Sequence, residues 1–189
     1  KTTTVSNLGI ALSQSGLKVL LVDADLRKGR LHAAFELKQG QGLSEFLIGQ
    51  ASLEAIVQPT RIPGLSVIAS GGSAPNPAEL LGSSRMREFL QQATGKFDRV
   101  LLDSPPVIAI TDAAILAGIT ETVVAVAQSG KTPRQALSRL ATICQEVRAK
   151  VLGVVLNNVP RRDVPEAYYR YEAYQYVASK EDGKSHPAV

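Results

Sequence analysis

Short apolar runs alternate with helical patterns along most of the chain, and this alternation limits its fold more than any other feature. The run at 19–22 is apolar at every position, as in a strand that is covered on both faces. Strands of this kind, separated by helices, belong to parallel sheets. We therefore predict an α/β fold with a mostly parallel sheet flanked by helices. The predicted strands are 18–22, 65–69, 99–103, 122–127 and 151–156.

Helical spacing of apolar residues predicts the segments between these strands. Gly16 stands where a left-handed glycine would end the first helix. Residues 26–42 are polar and contain glycines, so we expect a loop there. Residues 1–160 form the predicted single domain, and the polar segment 161–189 is expected to be a flexible tail. The predicted helices are 2–16, two short ones within 43–57, one across 80–90, 111–118 and 133–147.

Composition excludes several classes of protein. The formal net charge of +4 over 189 residues is too small to argue for a nucleic-acid partner. Cys144 is the single cysteine, which excludes intramolecular disulfides and a cysteine-rich zinc site. No uncharged apolar stretch in the sequence is long enough to span a membrane, and no signal peptide opens it. A reducing, cytoplasmic compartment is therefore the expectation.

Polar side chains stand where the predicted strands end. Asp23 and Asp25 follow the first strand, Asp103 ends the third, and Asn157 follows the fifth; all four are expected at one edge of the sheet. That edge, formed by the carboxyl ends of parallel strands, is where such sheets bind ligands. Two acids as close as Asp23 and Asp25 raise each other's pKa unless a cation compensates them. We expect a divalent-cation site, with a solvated strand end as the alternative.

The first residues match the second half of a phosphate-binding loop. The pattern G-x-x-x-x-G-K-[ST] ends in a lysine that meets the phosphates and a hydroxyl that holds Mg²⁺. Lys1 and Thr2 fit these two positions. The chain starts without a methionine and without the loop glycines, so we expect a fragment truncated within the phosphate loop, its first strand missing. Such a fragment is expected to have unpaired strand edges, poor solubility and weak ATP binding.

Together these motifs resemble those of the bacterial tyrosine kinases (BY-kinases), the autokinases of capsule and exopolysaccharide export. The most specific match is the pair of acids followed by Leu26 and Arg27, which resembles the family's second Walker A-type motif. The likeness covers about residues 1–176 and departs from the family's pattern at Gly29, where a proline is common. It rests on KTTT at 1–4, LLVDADLR at 20–27, LLDSPP at 101–106, TDA at 111–113, LGVVLN at 152–157 and the loop from 70 to 81.

The resemblance implies a P-loop NTPase-like fold that binds ATP and Mg²⁺, and it implies a role for each matching residue. Asp25 would accept the proton of the substrate tyrosine, and Asn157 would lie near the adenine. The residues assigned to catalysis are Lys1, Asp23, Asp25 and Asp103. Those assigned to the nucleotide are Lys1, Thr2, Thr3, Arg27 and Asn157. Those assigned to the metal are Thr2, Asp23 and Asp103.

All five tyrosines of the chain lie near its end, at Tyr168, Tyr169, Tyr171, Tyr174 and Tyr176. Because they do not share one helical stripe, a helix face packed on the domain is disfavoured. Because the positive and negative charges around them balance, an RNA-stacking surface is disfavoured as well. The cluster suits a phosphate acceptor. Each phosphotyrosine adds about 1.5 to 2 negative charges, so phosphorylation would change a neutral docking segment into a repelled one. The resemblance implies the same role: tails dock in a neighbouring subunit's active site until phosphorylation releases them.

The resulting prediction is an ATP-dependent protein-tyrosine autokinase that modifies its own tail and regulates polysaccharide polymerisation and export. The resemblance also implies a transmembrane copolymerase or activator, fused or separate, homo-oligomers formed through the tails, and a place at the inner face of the cell membrane. Two alternatives stay open: a P-loop ATPase switch of the partitioning or positioning type, and a non-catalytic regulatory subunit of a copolymerase. The tyrosine cluster favours the kinase over the ATPase.

Overall fold

The structure, a computed structural model, describes residues 1–107 and 111–160. The predicted tail and its tyrosine cluster lie outside these residues. Strands and helices alternate, which confirms the predicted α/β class. The elements in chain order are α1 Thr2–Gln14, β1 Val19–Asp23, α2 Leu31–Ala34, α3 Leu43–Leu47, α4 Leu53–Ile56, β2 Gln58–Pro59, β3 Leu65–Ile68, α5 Pro77–Gly82, α6 Ser84–Thr94, β4 Arg99–Asp103, α7 Asp112–Ile119, β5 Val123–Gln128, α8 Arg134–Glu146 and β6 Val151–Asn157.

A parallel sheet brings the ends of the early strands to one edge. β1 lies between β3 and β4 and pairs with both in parallel, while the short β2 pairs antiparallel with β3. Every residue of β1 is buried, as expected of a central strand covered on both faces. β5 and β6 form a second, parallel pair; within the described ranges, β4 pairs with β1 alone and β5 with β6 alone.

The core lies on both faces of the larger sheet. On one face the rings of Phe46 and Phe89 meet edge to face, with their centroids 5.4 Å apart. On the other face α1 packs against β1, and a Cβ added to Gly9 would lie 2.6 Å from a Leu21 methyl carbon. Because Gly9 has no side chain, α1 lies directly on β1. This close packing carries the first residues of α1 to the carboxyl edge of the sheet.

The structure agrees with the predicted strands to within a residue or two and differs at three short elements. The turn of helix α2 interrupts the loop predicted for 26–42, because Leu31 is buried in the core. The single helix predicted across 80–90 is two helices, since Ser83 has an extended backbone and its hydroxyl oxygen caps α6. The two-residue edge strand β2 was not predicted. Gly16 follows α1 with a φ of +90°, as expected.

Membrane-spanning helices are not found in the part of the chain that the structure describes. None of its helices combines the length and the apolar character needed to cross a bilayer.

Candidate active site

Two buried carboxylates lie side by side at the carboxyl edge of the sheet. Asp23 is the last residue of β1 and Asp103 is the last of β4, and the two are paired in the parallel register. Neighbouring strands are about 4.8 Å apart, so both carboxyl groups occupy one small region. Asp23 is completely buried and Asp103 is 6% exposed. The structure thus brings these two predicted site residues together.

Backbone N–H groups hold the Asp23 carboxylate in place. Its Oδ2 accepts a hydrogen bond from the Leu31 N–H at 2.8 Å, and its Oδ1 accepts one from the Asp25 N–H at 3.2 Å. The loop that leads to Leu31 passes directly over this group: a Cβ at Gly29 would lie 2.6 Å from Asp23 Oδ2 and 2.4 Å from Ser70 Oγ. Glycine is therefore the residue that fits at this position without movement of the loop.

Both acids have raised pKa values. The pKa of Asp23 is raised to about 6, first by burial and then by the charges of Asp103 and Asp25, against the lowering effect of its backbone hydrogen bonds. Burial also raises the pKa of Asp103, although the Thr2 hydroxyl and the charge of Lys1 oppose the shift. Repulsion between acids, which the sequence suggested, is therefore secondary to burial. Two buried acids of this kind favour a bound cation.

The amino end of α1 reaches the same acids. Thr2 Oγ1 donates a hydrogen bond to Asp103 Oδ2 at 2.5 Å, across 101 positions of sequence. Lys1 is the N-cap residue of α1, and its charge lowers the pKa of Asp103. The first N–H groups of a helix lack intrahelical partners and attract anions such as phosphates. Thr3, the remaining predicted nucleotide contact of α1, is exposed.

A turn after β1 orients Asp25. Asp25 Oδ1 accepts hydrogen bonds from the Lys28 N–H at 3.0 Å and the Arg27 N–H at 3.2 Å, as in an Asx turn. Asp25 is partly exposed, unlike the buried Asp23, so a substrate group can approach it. The Arg27 guanidinium binds Asp112 at the start of α7, with Nε 3.0 Å from Oδ2 and Nη2 3.3 Å from Oδ1.

An open cleft of about 410 Å³ lies beside this turn, between residues 26–29 and 70–77. Glu45 holds the 70–77 side of this cleft in place. Its Oε1 accepts a hydrogen bond from the Gly72 N–H at 3.0 Å, and its Oε2 accepts one from the Gly42 N–H at 2.7 Å. Burial raises the pKa of Glu45, but these N–H groups outweigh it and the net pKa is lowered. Gly71 has a φ of +87°, and a Cβ there would lie 2.1 Å from Glu45 Oε2.

Sequence reasoning missed Glu45 and gave Asp112 no role. The signal for Glu45 was its place three residues after the N-cap residue Gly42, whose N–H donates to Glu45 as in one half of a capping box. The signal for Asp112 was weaker, because its contact with Arg27 joins residues 85 positions apart. An acid in the first turn of a helix is common for reasons unrelated to a site.

Asn157 stands apart from the acids in the sheet topology. It is the last residue of β6, one position beyond the predicted strand. The prediction that it shares a sheet edge with the acids is wrong, because β6 belongs to the two-stranded sheet rather than to the sheet of Asp23 and Asp103. Its carbonyl oxygen accepts from the Ser129 N–H at 2.9 Å, and its Oδ1 accepts from the Asn158 N–H at 2.8 Å. The five tyrosines lie outside the described residues.

The side chains at this edge fit Mg²⁺ bound together with a nucleotide. Mg²⁺ prefers oxygen ligands and usually takes one or two carboxylates, with water and substrate phosphates completing its shell. This preference is met by the hydroxyl of Thr2 and the carboxylates of Asp23 and Asp103. In the described part of the chain, no three histidine, cysteine or acidic side chains form a metal cage on their own. A site shared with phosphate oxygens is the chemistry that this donor set suits.

Sequence comparison relates the chain to tyrosine kinases. Residues 1–157 match a family model described as an AAA domain. The tyrosine-protein kinase YwqD of Bacillus subtilis is 36% identical over 182 residues, which cover 96% of this chain and 74% of that protein. The tyrosine-protein kinase ptk of Acinetobacter johnsonii is 42% identical over 156 residues, which cover 82% of this chain and 21% of that protein. The chain therefore spans about a fifth of the length of ptk.

Structural comparison gives the same relationship. The kinase domain of the Escherichia coli tyrosine kinase ETK matches with a TM-score of 0.80 at 35% identity, over 85% of this chain and 63% of that one. This likeness confirms the predicted P-loop NTPase-like fold and the resemblance on which the predicted site residues rest. The chain belongs to the bacterial tyrosine kinase family.

Proposed function

We propose that this chain is the catalytic domain of an ATP-dependent protein-tyrosine autokinase that phosphorylates its own C-terminal tyrosines. The observation that carries the proposal is the hydrogen bond from Thr2 to Asp103, beside the buried Asp23. It joins the end of a phosphate-loop pattern to two acids that favour a cation, as in sites that bind Mg·ATP. The relatives named tyrosine-protein kinases support this activity.

The residues around the bound nucleotide would act mainly by charge and position. Lys1 and the amino end of α1 would neutralise charge on the phosphates, while Thr2, Asp23 and Asp103 would hold Mg²⁺. When bound, Mg²⁺ supplies further neutralisation of the phosphate oxygens. Thr3, Arg27 and Asn157 complete the proposed set of nucleotide-binding residues, with Asn157 near the adenine.

Asp25 would receive the proton that the substrate tyrosine loses. The phenolic oxygen attacks the γ-phosphorus, the bond from that phosphorus to the bridging oxygen breaks, and ADP leaves with the electron pair. The partial exposure of Asp25 and the two N–H groups on its Oδ1 support this role, since they leave the carboxylate oriented and accessible.

The cellular role proposed with this activity is regulation of capsule or exopolysaccharide polymerisation and export. A transmembrane copolymerase or activator, fused or separate, would hold the kinase at the inner face of the cell membrane. Unphosphorylated tails would dock in neighbouring subunits and hold a homo-oligomer together. Membership of the bacterial tyrosine kinase family supports this role.

The experiment that tests the proposal is phosphate mapping by mass spectrometry. The full-length gene product is incubated with Mg·ATP beside an Asp23→Ala/Asp25→Ala variant, and a variant of the exposed acid Glu121, Glu121→Ala, serves as the matched control. We expect phosphate on Tyr168 to Tyr176 in the parent and the control and none in the double variant. ATP hydrolysis with an unmodified tail would replace the kinase by an ATPase switch. If a folded protein with its activator shows neither tail phosphorylation nor ATP hydrolysis, the regulatory subunit is the remaining function.

A further inference from the structure

The ion pair between Arg27 and Asp112 differs from the others in the described residues. Asp112 is completely buried, while the Arg27 side chain is 42% exposed. Both partners are at least 40% exposed in each of the other three pairs, Arg61–Glu36, Arg85–Glu88 and Lys96–Glu54. Exposed pairs contribute little, whereas a buried carboxylate depends strongly on its partner. The Arg27–Asp112 pair is therefore the ion pair in this part of the chain whose loss leaves a buried charge.

The geometry of the pair suits arginine alone. Two nitrogens of one guanidinium approach the two oxygens of one carboxylate, at 3.0 and 3.3 Å. This two-point contact fixes the direction of the Arg27 side chain as well as its distance. Lysine has a single ammonium group and cannot reproduce it. The hydrogen bond to Asp112 is also the main reason that the pKa of Arg27 is raised.

Arg27 connects this buried acid to Asp25. The guanidinium of Arg27 binds Asp112, and its backbone N–H donates to Asp25 Oδ1. Leu26, between Asp25 and Arg27, is 5% exposed and belongs to the core. The turn is thus held at Leu26 by the core and at Arg27 by α7. Any shift of the Arg27 backbone moves one of the two N–H groups that orient the Asp25 carboxylate.

We propose that Asp112 is a positioning residue that acts through Arg27 to hold the Asp25 carboxylate where it can accept the tyrosine proton. The proposal rests on the proposed kinase function. It differs from a purely structural role for Asp112, which would stabilise α7 without a particular effect on Asp25. It also implies that α7 and the turn after β1 move as one unit.

The first test does not depend on activity. Amide hydrogen exchange is measured at Arg27 and Lys28 in the full-length protein and in Asp112→Asn, a nearly isosteric change that retains an acceptor oxygen. We expect about tenfold or more faster exchange at these two amides, with exchange in β1 unchanged. Arg61→Gln, which breaks the most exposed ion pair, is the control and should leave both amides unchanged. Unchanged exchange at Arg27 and Lys28 in Asp112→Asn would overturn the proposal, whatever the activity of the protein.

The second test separates positioning from stability. A peptide of residues 164–178 is phosphorylated in trans by the parent, Asp112→Asn, Arg27→Gln and the double variant. For Asp112→Asn, whose side chain is not among the proposed nucleotide contacts, we expect kcat to fall about ten- to a hundredfold with the KM for ATP changed less than about threefold, since misplaced groups lose rate before binding. Because the two residues act in series, the double variant should be no slower than the slower single variant.

Two kinetic outcomes would contradict the positioning role. Multiplicative losses in the double variant would mean that Asp112 and Arg27 act independently. A loss of ATP affinity in Asp112→Asn equal to its loss of kcat would mean that the site as a whole is disturbed. An inactive parent would instead count against the kinase function, and the exchange measurement would still decide the link between Asp112 and Asp25.

Discussion

Replacement of Asp23 by asparagine should stabilise the protein at neutral pH when Mg²⁺ and nucleotide are absent. The pKa of Asp23 is about 6, against an ordinary value of 3.8, and each unit corresponds to about 1.4 kcal/mol. The ionised carboxylate therefore weakens folding by about 3 kcal/mol at pH 7. Asparagine cannot accept from both the Leu31 and Asp25 N–H groups, and one lost hydrogen bond costs about 1 kcal/mol. The expected net gain is about 2 kcal/mol, or roughly 4 to 8 °C in Tm.

The gain should depend on pH in one direction. Because the pKa of Asp23 is raised in the folded state, its penalty is absent below the unfolded value near 3.8, grows as pH rises, and is complete above about 6. The stability advantage of Asp23→Asn should therefore vanish at about pH 4.5. At that pH the free-energy cost of the ionised carboxylate equals the free-energy cost of the lost hydrogen bond. Mg·ATP should raise the Tm of the parent and leave that of Asp23→Asn almost unchanged.

Calorimetry of the full-length protein measures both effects. Unfolding of the parent and of Asp23→Asn is followed at pH 7 and near pH 4.5, with and without Mg·ATP. Glu121→Gln changes an exposed acid and is the matched control, with no shift expected. Either of two results would contradict a raised pKa at Asp23: an Asp23→Asn variant that is less stable than the parent at pH 7, or a difference in stability that does not vary with pH.

Substitutions at Gly71, at Thr2 and in the tyrosine cluster test three further points. Gly71→Ala should destabilise the protein by more than about 1–2 kcal/mol, the cost of left-handed backbone strain alone, because the new Cβ would also displace Glu45. Gly130→Ala is the control, since Gly130 has a φ of +70° and open space around it and its substitution adds backbone strain only. Equal losses of Tm in the two variants would contradict a role for Glu45. Thr2→Val should weaken binding of Mg·ATP about tenfold or more, whereas Thr2→Ser, which keeps the hydroxyl, should not. If calorimetric titration gives the same affinity for both variants, the Thr2 hydroxyl is not part of the binding site. Replacing all five tyrosines by phenylalanine should keep the oligomer assembled when ATP is added, as judged by light scattering; dissociation like that of the parent would reject the tail switch.

The strands and the strand-end acids could be predicted because their signals are local. A run of apolar residues at 19–22 requires cover on both faces, and an acid directly after such a strand falls at the ligand edge of the sheet. The pairing of Asp23 with Asp103 follows from the same rule once β1 and β4 are neighbours. Family resemblance supplied the assignment of roles, which periodicity alone leaves open between a cation site and a solvated strand end.

The supporting contacts could not be predicted because they join distant positions. Arg27 and Asp112 are 85 residues apart, and Glu45 reaches the Gly72 N–H across 27. The short helix α2 has too few residues for a periodic pattern and depends on the burial of Leu31. The break at Ser83 follows from a cap, which a continuous apolar pattern conceals. Side chains that hold a site in place are thus harder to find from sequence than those that form it.

The proposed kinase activity is tested most directly by transfer of the γ-phosphate of ATP to the tail. The full-length protein with γ-labelled Mg·ATP is compared with Asp25→Asn and with the five-phenylalanine variant, and label on tyrosine is counted alongside ATP binding. We expect labelled tyrosine within residues 168–176 of the parent alone, with ATP binding retained in both variants. Release of labelled phosphate to water, with no label on tyrosine in the parent, would contradict it.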